Sequence, residues 1–267
     1  MITMHGIVNQ FCIFGPLSAI LKTHKYYLMK HLSYATSLIL FALTLFSCDG
    51  RHIKGSGHVT TATKNVGSYK TVSVHSSVDV YVTQGPEAAV VIEAEDNIIP
   101  YIIIEEDGGE LSIRQKNNTS YSTSHPIKIK LTAPDITGLN LTSSGSIHLV
   151  NTIDNEESVT LSVTGSGEIK GNIHTPEVKA NITGSGDMTI TGETRDIEYE
   201  GTGSGDFRAK GLKAENATVS LTGSGDADIN ASAKLEANTT GSGDVNYYGN
   251  PQVTSNKTGS GDVHKKG

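Results

Sequence analysis

A carboxylate recurs at a near-constant interval through the second half of this 267-residue chain. Six acidic side chains each close a Thr-Gly-Ser-Gly-Asp segment or its Glu variant, 18 to 20 residues apart: Glu168, Asp187, Asp206, Asp226, Asp244 and Asp262. Carboxylates can hold a divalent cation, since Ca²⁺ takes six to eight oxygen ligands. They can also accept hydrogen bonds from the main chain of a tight turn. The spacing therefore allows two kinds of chemistry, cation binding and turn formation.

The same segments define the elements that must position these carboxylates. Counting a degenerate copy at 142–146, the second residue of successive copies advances by 22, 19, 19, 20, 18 and 18 positions. Around each copy, apolar or small residues alternate with polar ones, as in the run Ile182, Gly184, Gly186, Met188 and Ile190. A period of two predicts β-strands. Short strands that recur at a fixed interval have to stack on one another to bury a face.

Three repeat architectures compete for a period near 19 residues. A propeller blade needs about 40 residues, and a leucine-rich repeat needs a leucine skeleton that this sequence lacks. A coil of two or three short strands joined by bends satisfies both the period and the alternation. The sequence therefore predicts an all-β protein, a parallel β-helix with about 18–22 residues per coil. Six steps at the inter-strand spacing give a rod roughly 29 Å long.

Stacked coils place each repeated residue above its counterpart in the preceding coil. The glycines are expected to point inward at tight bends, or to adopt positive φ. The acidic residues are expected to form one column and the repeated serines another: Ser166, Ser185, Ser204, Ser224, Ser242 and Ser260. Like charges about 4.8 Å apart repel by about 0.9 kcal/mol in water, so the acidic column needs compensation.

Two interpretations of the acidic column stay open. In the first, each carboxylate accepts a main-chain N–H of its bend, which is a structural role. In the second, the column binds Ca²⁺ weakly; no other cofactor is expected. The Ca²⁺-binding β-roll repeat is Gly-Gly-x-Gly-x-Asp on a nine-residue period, which these segments do not match. The comparison favours the structural role.

The first fifty residues have the composition of an export signal. A basic start at Met29 leads into the apolar run 38–45 and then into Leu-Phe-Ser-Cys, which ends at Cys48. This order is typical of a secretory signal, and the run is shorter than the about 20 apolar residues that span a bilayer. The last four residues resemble the bacterial lipobox, so Cys48 is the predicted lipidation site. The alternatives are an ordinary signal with an incidental cysteine and a buried apolar segment.

Charge and motif content narrow the function. Cleavage before Cys48 leaves 18 basic and 28 acidic side chains, a net charge of −10. A nucleic-acid partner would need a basic stripe, and none is expected. The mature chain has no second cysteine for a disulfide, and the sequence has no Trp and no Gly-x-Ser-x-Gly segment. No catalytic residue and no metal ligand set is predicted, so the protein is expected not to be an enzyme.

The segment ahead of the repeats has denser strands. Alternating valines occupy 72–82, and Asp-Gly-Gly at 107–109 predicts a hairpin between 98–105 and 111–114. The predicted organisation is an upstream extension at 1–28, a lipoprotein signal peptide at 29–47, a linker at 48–65, an N-terminal β section at 66–141 and regular repeats at 142–267. The last two form one continuous domain, in which the first caps the second.

Three features in this order resemble the head GIN domain family of Bacteroidetes-type envelope proteins. They are 72–85 (VSVHSSVDVYVTQG), 93–113 (EAEDNIIPYIIIEEDGGELSI) and the serial Gly-Ser-Gly-Asp bends, which together span nearly all of 66–263. The resemblance implies a right-handed parallel β-helix exported to the cell envelope, often as a lipoprotein, with adhesion as its function. It carries no shared binding residue onto this chain.

Three functions follow in order of preference. The first is a non-enzymatic lipoprotein, expected in the outer membrane, that is held by its acyl chains and presents a face to a glycan or protein ligand. The second is a β-helix enzyme acting on polysaccharides. The third is a structural element of the envelope that stacks end to end.

Overall fold

The structure is a computed structural model that describes residues 51–266. The predicted extension, the signal peptide and Cys48 lie outside the described residues. The described chain is almost all β, and the predicted parallel β-helix is confirmed, with about seven turns. Its one helical element is a 3-10 turn at Ile99–Tyr101. No helix within 51–266 is both long enough and apolar enough to cross a membrane.

Twenty strands follow one another within residues 51–266. They are β1 (Arg51–Lys54), β2 (Val59–Lys64), β3 (Thr71–Val74), β4 (Asp79–Gln84), β5 (Ala88–Glu95), β6 (Ile102–Asp107), β7 (Glu110–Gln115), β8 (Thr119–Ser122), β9 (Lys128–Ala133), β10 (Gly138–Ser143), β11 (Ser146–Leu149), β12 (Ile153–Asp154), β13 (Ser158–Gly165), β14 (Glu168–Gly184), β15 (Asp187–Gly203), β16 (Phe207–Gly223), β17 (Ala227–Gly241), β18 (Val245–Tyr248), β19 (Gln252–Gly259) and β20 (Val263–Lys265).

The strands stack into two long faces. The Thr face runs through β6, β7, β3, β10 and β13, then the C-terminal halves of β14 to β17, and ends at β19. The Asp face runs through β2, β5, β9, β4 and β11, then the N-terminal parts of β14 to β17, and ends at β18 and β20. The bent strands β14 to β17 therefore contribute to both faces and to a shorter third side between them.

Apolar side chains of each coil meet those of the next inside the rod. One inward column holds Ile147, Ile169, Met188, Phe207, Ala227 and Val245, none of which is measurably exposed. The ring of Tyr199 stacks on that of Phe207 with 4.3 Å between centroids. Burial of such side chains is the main stabilising contribution to the fold.

The repeated glycines form the corner between the two faces, as predicted. Gly203 has φ of +122°, and a Cβ there would lie 2.2 Å from the carbonyl oxygen of Gly184 in the preceding coil. Gly205 is buried, and a Cβ on it would lie 2.0 Å from the carbonyl oxygen of Gly186. Gly203 is thus required both by its backbone conformation and by close approach, and Gly205 by close approach.

The N-terminal section does cap the stack, but its layers do not follow chain order. On the Thr face β3 pairs with β7 on one side and with β10 on the other. On the Asp face β4 lies in the same way between β9 and β11. The coil at 71–84 is therefore enclosed between chain segments that come after it in the sequence.

The predicted hairpin is present, with a corrected first strand. Strands β6 and β7 pair antiparallel around the positive-φ glycines Gly108 and Gly109. Residues 99–101, predicted as the start of this strand, form the 3-10 turn instead. Pro100 stands at the first turn of that helix, where its missing N–H costs nothing.

Two polar segments contain strands, and one of them is the predicted linker. The linker at 48–65 includes β1 and β2, and β2 pairs antiparallel with β5 over six residues. The polar segment 116–124 includes β8, which pairs in parallel with β1. Strands β1, β2 and β8 are polar, and each pairs with a strand that is distant in sequence. No local apolar pattern therefore marks these strands.

The C-terminal end is closed by polar residues at inward positions. Register places Ser255 over Ala237 and Lys257 over the buried Thr239. The ammonium of Lys257 turns to the carboxylate of Asp262 in the same final coil. A charged side chain therefore stands where a further coil would need an apolar one.

Candidate functional surfaces: the corner columns and the furrow

The six predicted acidic residues do line up along one edge of the Asp face. Each follows the glycine corner and points outward, and Glu168 is directly in register with Asp187. Four of the five steps in the column are linked by hydrogen bonds. The carboxylates of Asp187, Asp206, Asp226 and Asp244 each accept the main-chain N–H of the next acidic residue, at 3.0, 2.9, 2.8 and 2.8 Å.

This linkage differs from the predicted turn. We expected each carboxylate to accept an N–H of its own bend, but the donor belongs to the next coil. At the first step of the column, by contrast, the N–H of Asp187 bonds to the main-chain carbonyl of Gly167. From Asp206 onward the carboxylate of the preceding coil takes the place of that carbonyl. Each side chain therefore supplies the acceptor for a main-chain N–H of the next coil.

The two ends of the column are exceptions. The longer Glu168 side chain pairs with the ammonium of Lys170 at 2.6 Å, and the N–H of Asp187 bonds instead to the carbonyl of Gly167. Asp262 lies in the last coil within residues 51–266. A hydrogen bond from Lys257 holds the pKa of the Asp262 carboxyl below its usual range.

Arg208 supplies the cation that the column needs at its centre. Its guanidinium lies 3.1 Å from an oxygen of Asp187 and 2.8 Å from an oxygen of Asp206. Hydrogen bonding to Asp187 raises the pKa of Arg208 further. Our sequence analysis missed this residue, although a signal exists. A basic residue stands two positions after the repeat acid in both Glu168-Ile-Lys170 and Asp206-Phe-Arg208.

The described part of the chain contains no group of three His, Cys, Asp or Glu side chains placed to hold a metal ion. In the acidic column each coil contributes a single carboxylate, and the hydrogen bonds above already occupy one oxygen of four of them. The arrangement is that of a main-chain acceptor.

Beside the acidic column stand two columns of hydroxyl groups. All members of both columns are exposed, and adjacent hydroxyls can contact, as those of Ser242 and Ser260 do at 3.1 Å. The first column, at the edge of the Thr face, consists of Thr142, Thr164, Thr183, Thr202, Thr222, Thr240 and Thr258. The second is the predicted serine column, which lies at the corner itself.

A furrow runs along the third side of the rod. It consists of three adjoining cavities of about 530, 310 and 490 Å³. Its floor includes the buried polar residues Asn155, Thr175 and Thr194. Each of these is hydrogen-bonded within the protein, for example Asn155 to Asp135 at 2.7 Å.

The walls of the furrow are mainly acidic. Asp154, Glu156, Glu193 and Glu215 line its largest cavity, with Arg195 as the cation there. The guanidinium of Arg195 lies 2.7 Å from Asp196, and this hydrogen bond lowers the pKa of the Asp196 carboxyl. The largest cavity alone is assembled from four coils, so no local sequence pattern identifies the furrow.

The chain matches one family over most of its length. The family is described as "putative auto-transporter adhesin, head GIN domain", and the match covers residues 68–251. No protein of curated function matches the chain.

Several crystal structures share the fold. A "putative adhesin" from Bacteroides fragilis superposes with a TM-score of 0.75 at 21% identity, over 80% of this chain and 100% of its own. A "putative lipid binding protein" from Parabacteroides distasonis gives 0.69 at 23% identity, over 81% and 100%. A "putative adhesin" from Parabacteroides distasonis gives 0.62 at 26% identity, over 80% and 100%. With the match over residues 68–251, the chain belongs to the head GIN domain family.

Proposed function

We propose that this protein is a non-enzymatic lipoprotein of the bacterial envelope that binds a glycan or protein ligand along an outer face of its rod. Membership of an adhesin-like family supports a protein of the cell envelope or surface. The lipobox-like segment ending at Cys48 supports an acyl anchor, and we place that anchor in the outer membrane.

One observation carries the binding proposal. Seven exposed threonines stand in register, one per coil, beside an exposed serine column. Neighbouring coils are about 4.8 Å apart, so a ligand that repeats along its length meets the same hydroxyl groups at every step. Affinity from such a surface comes from many weak contacts rather than from one pocket.

Binding is tested with arrays of glycans and of host surface proteins, probed with the purified mature protein. Two matched variants locate the contact: Thr202→Arg with Thr222→Arg on the Thr face, and Glu193→Arg with Glu215→Arg in the furrow. All four side chains are exposed, so the fold is expected to survive. Loss of signal in the Thr pair alone supports the proposal. Unchanged binding by the Thr pair, or no binding by the wild type, overturns it.

Catalysis is tested separately. The same preparation is incubated with uronic-acid and neutral polysaccharides, and the products are separated by chromatography. No turnover is expected, and any turnover that depends on the furrow residues would replace binding by enzymatic activity.

Location is tested on intact cells. Protease added outside cells that express the chain is expected to remove it, whereas a periplasmic marker stays intact. Protection of the chain together with that marker would contradict presentation at the surface.

A further inference from the structure

Strands β1 and β8 form a small sheet whose outer side carries no acidic side chain. Strands β1 (RHIK) and β8 (TSYS) pair in parallel, and neither contains Asp or Glu. Ile53 and Tyr121 turn inward and pack against the core. His52, Lys54, Ser120 and Ser122 are exposed, and His52 contacts both serine hydroxyls, at 3.0 and 3.3 Å.

Two carboxylates adjoin this sheet, and both already accept hydrogen bonds within the protein. Glu95 is fully buried and accepts the main-chain N–H groups of Gly57, Ser124 and His125. Asp96 accepts the hydroxyl of Ser56 and the N–H of Asn97.

A further cation stands in the segment that leads into β8. Lys116 is exposed, and its ammonium lies 5.9 Å from the centre of the Tyr101 ring. We name the β1–β8 patch the exposed polar side chains of this sheet and of the segment leading into β8: His52, Lys54, Lys116, Ser120 and Ser122. The patch contains no carboxylate, in a mature chain with 18 basic and 28 acidic side chains.

The patch lies at one end of the rod. β8 connects β7 to β9, the layer beneath the coil at 71–84, and β1 pairs with β8. The Thr face counts nine layers from β7 to β19, so the last coil is about 38 Å from this end.

The tether to the predicted lipid site is short. Three residue steps separate Cys48 from Arg51, where β1 begins. An extended chain spans at most about 3.6 Å per residue, so an acylated Cys48 lies within about 11 Å of the start of β1. An acyl anchor at Cys48 would hold this end of the rod at the level of the lipid headgroups.

From these observations we propose that the β1–β8 patch rests on anionic phospholipid headgroups and that the rod stands with its last coil away from the membrane. Lysine and imidazole groups donate to lipid phosphates, and basic residues close to an anionic surface add to the binding of an acyl chain. The inference rests on the proposed acyl anchor at Cys48.

The test uses the lipidated full chain in phosphatidylcholine vesicles that contain phosphatidylglycerol. The mature sequence has no cysteine besides Cys48, which acylation blocks, so one new thiol can be labelled at a time. A fluorophore is placed by Ser120→Cys in the patch or by Thr258→Cys in the last coil. Lipids with a nitroxide at the headgroup then act as the quencher.

We expect at least fivefold stronger quenching at position 120 than at 258. Lys54→Glu with Lys116→Glu should reduce quenching at 120 at least twofold. The matched charge reversal Lys265→Glu with Lys266→Glu, at the other end, should leave it unchanged. Equal quenching at 120 and 258, or no response to the patch variant, overturns the inference.

A second measurement separates this inference from the anchor itself. Incorporation of an alkyne-labelled fatty acid, absent in Cys48→Ala, reports acylation. Acylation with equal quenching at both positions refutes the orientation and leaves the anchor standing. Absence of acylation refutes the anchor, and the orientation with it.

Discussion

The carboxylate of Asp226 accepts the main-chain N–H of Asp244, one coil further along the rod, at 2.8 Å. The same bond repeats from Asp187 to Asp262. The repeated acid of this sequence is thus a link between coils, which explains why like charges can stand about 4.8 Å apart.

Two replacements of Asp226 distinguish the effect of its hydrogen-bond acceptor from the effect of its charge. Asp226→Ala removes both, whereas Asp226→Asn removes the charge and keeps an acceptor oxygen. A main-chain hydrogen bond contributes about 1 kcal/mol, so the Ala variant should be less stable than the Asn variant by about that free energy of unfolding. Urea titration followed by circular dichroism measures it. Equal stability of the two variants would mean that the link contributes nothing.

The corner glycine Gly203 should tolerate no side chain. Gly203→Ala puts a Cβ 2.2 Å from the carbonyl oxygen of Gly184 at a φ of +122°, so we expect a loss of more than about 3 kcal/mol or failure to fold. Gly108→Ala is the matched control. Its φ is +60° and nothing lies within 4 Å of the added Cβ, so about 1 kcal/mol is expected. Similar unfolding midpoints for the two variants would contradict the role of close approach.

Tyr199 carries a buried hydroxyl without a hydrogen-bond partner in the described structure. Burial raises the pKa of this phenol well above its usual range. Tyr199→Phe removes the unpaired group and keeps the stack on Phe207, so we expect a gain of about 1 kcal/mol. Tyr199→Leu loses the stack and should cost about 2 kcal/mol. A Phe variant less stable than the wild type would show that the hydroxyl has a partner.

Glu95 should make stability depend on pH. Hydrogen bonds from the N–H of Gly57, and then from Ser124 and His125, hold the pKa of Glu95 below its ordinary value of 4.5. A lowered pKa means that its contribution is fully present above the unfolded-state value and is lost as pH falls through the folded-state value. Thermal midpoints of the wild type should exceed those of Glu95→Gln at pH 7, and the two curves should converge below about pH 4.5. A gap that persists unchanged at pH 3 would contradict this.

Lys257 should keep the rod from extending. It occupies an inward position above Thr239 and pairs with Asp262. Lys257→Val should expose an apolar end that associates with a second molecule, because an uncharged strand edge invites pairing. Sedimentation velocity at increasing concentration is expected to show dimers for this variant. Lys234→Val, at an outward position, is the control. Both this variant and the wild type are expected to be monomeric.

The repeat made most of the fold predictable, because one period and one alternation define a stacking coil. The glycine corner, the acidic and serine columns and the hairpin at Gly108 and Gly109 all follow from such local patterns. Strands β1 and β2 escaped prediction because they are polar, and their partners β8 and β5 are distant in sequence. The role of Arg208 and the furrow could not be predicted for a related reason, because the groups that meet there come from different coils.

The enclosed coil at 71–84 has a consequence for how the chain reaches its native state. Both edges of β3 and β4 are paired only after residues 138–149 have been made. Assembly cannot proceed in the order of synthesis at this end. We therefore expect a cooperative block at 71–149 to form first, and the later coils to add to it one at a time, each on a template already in place.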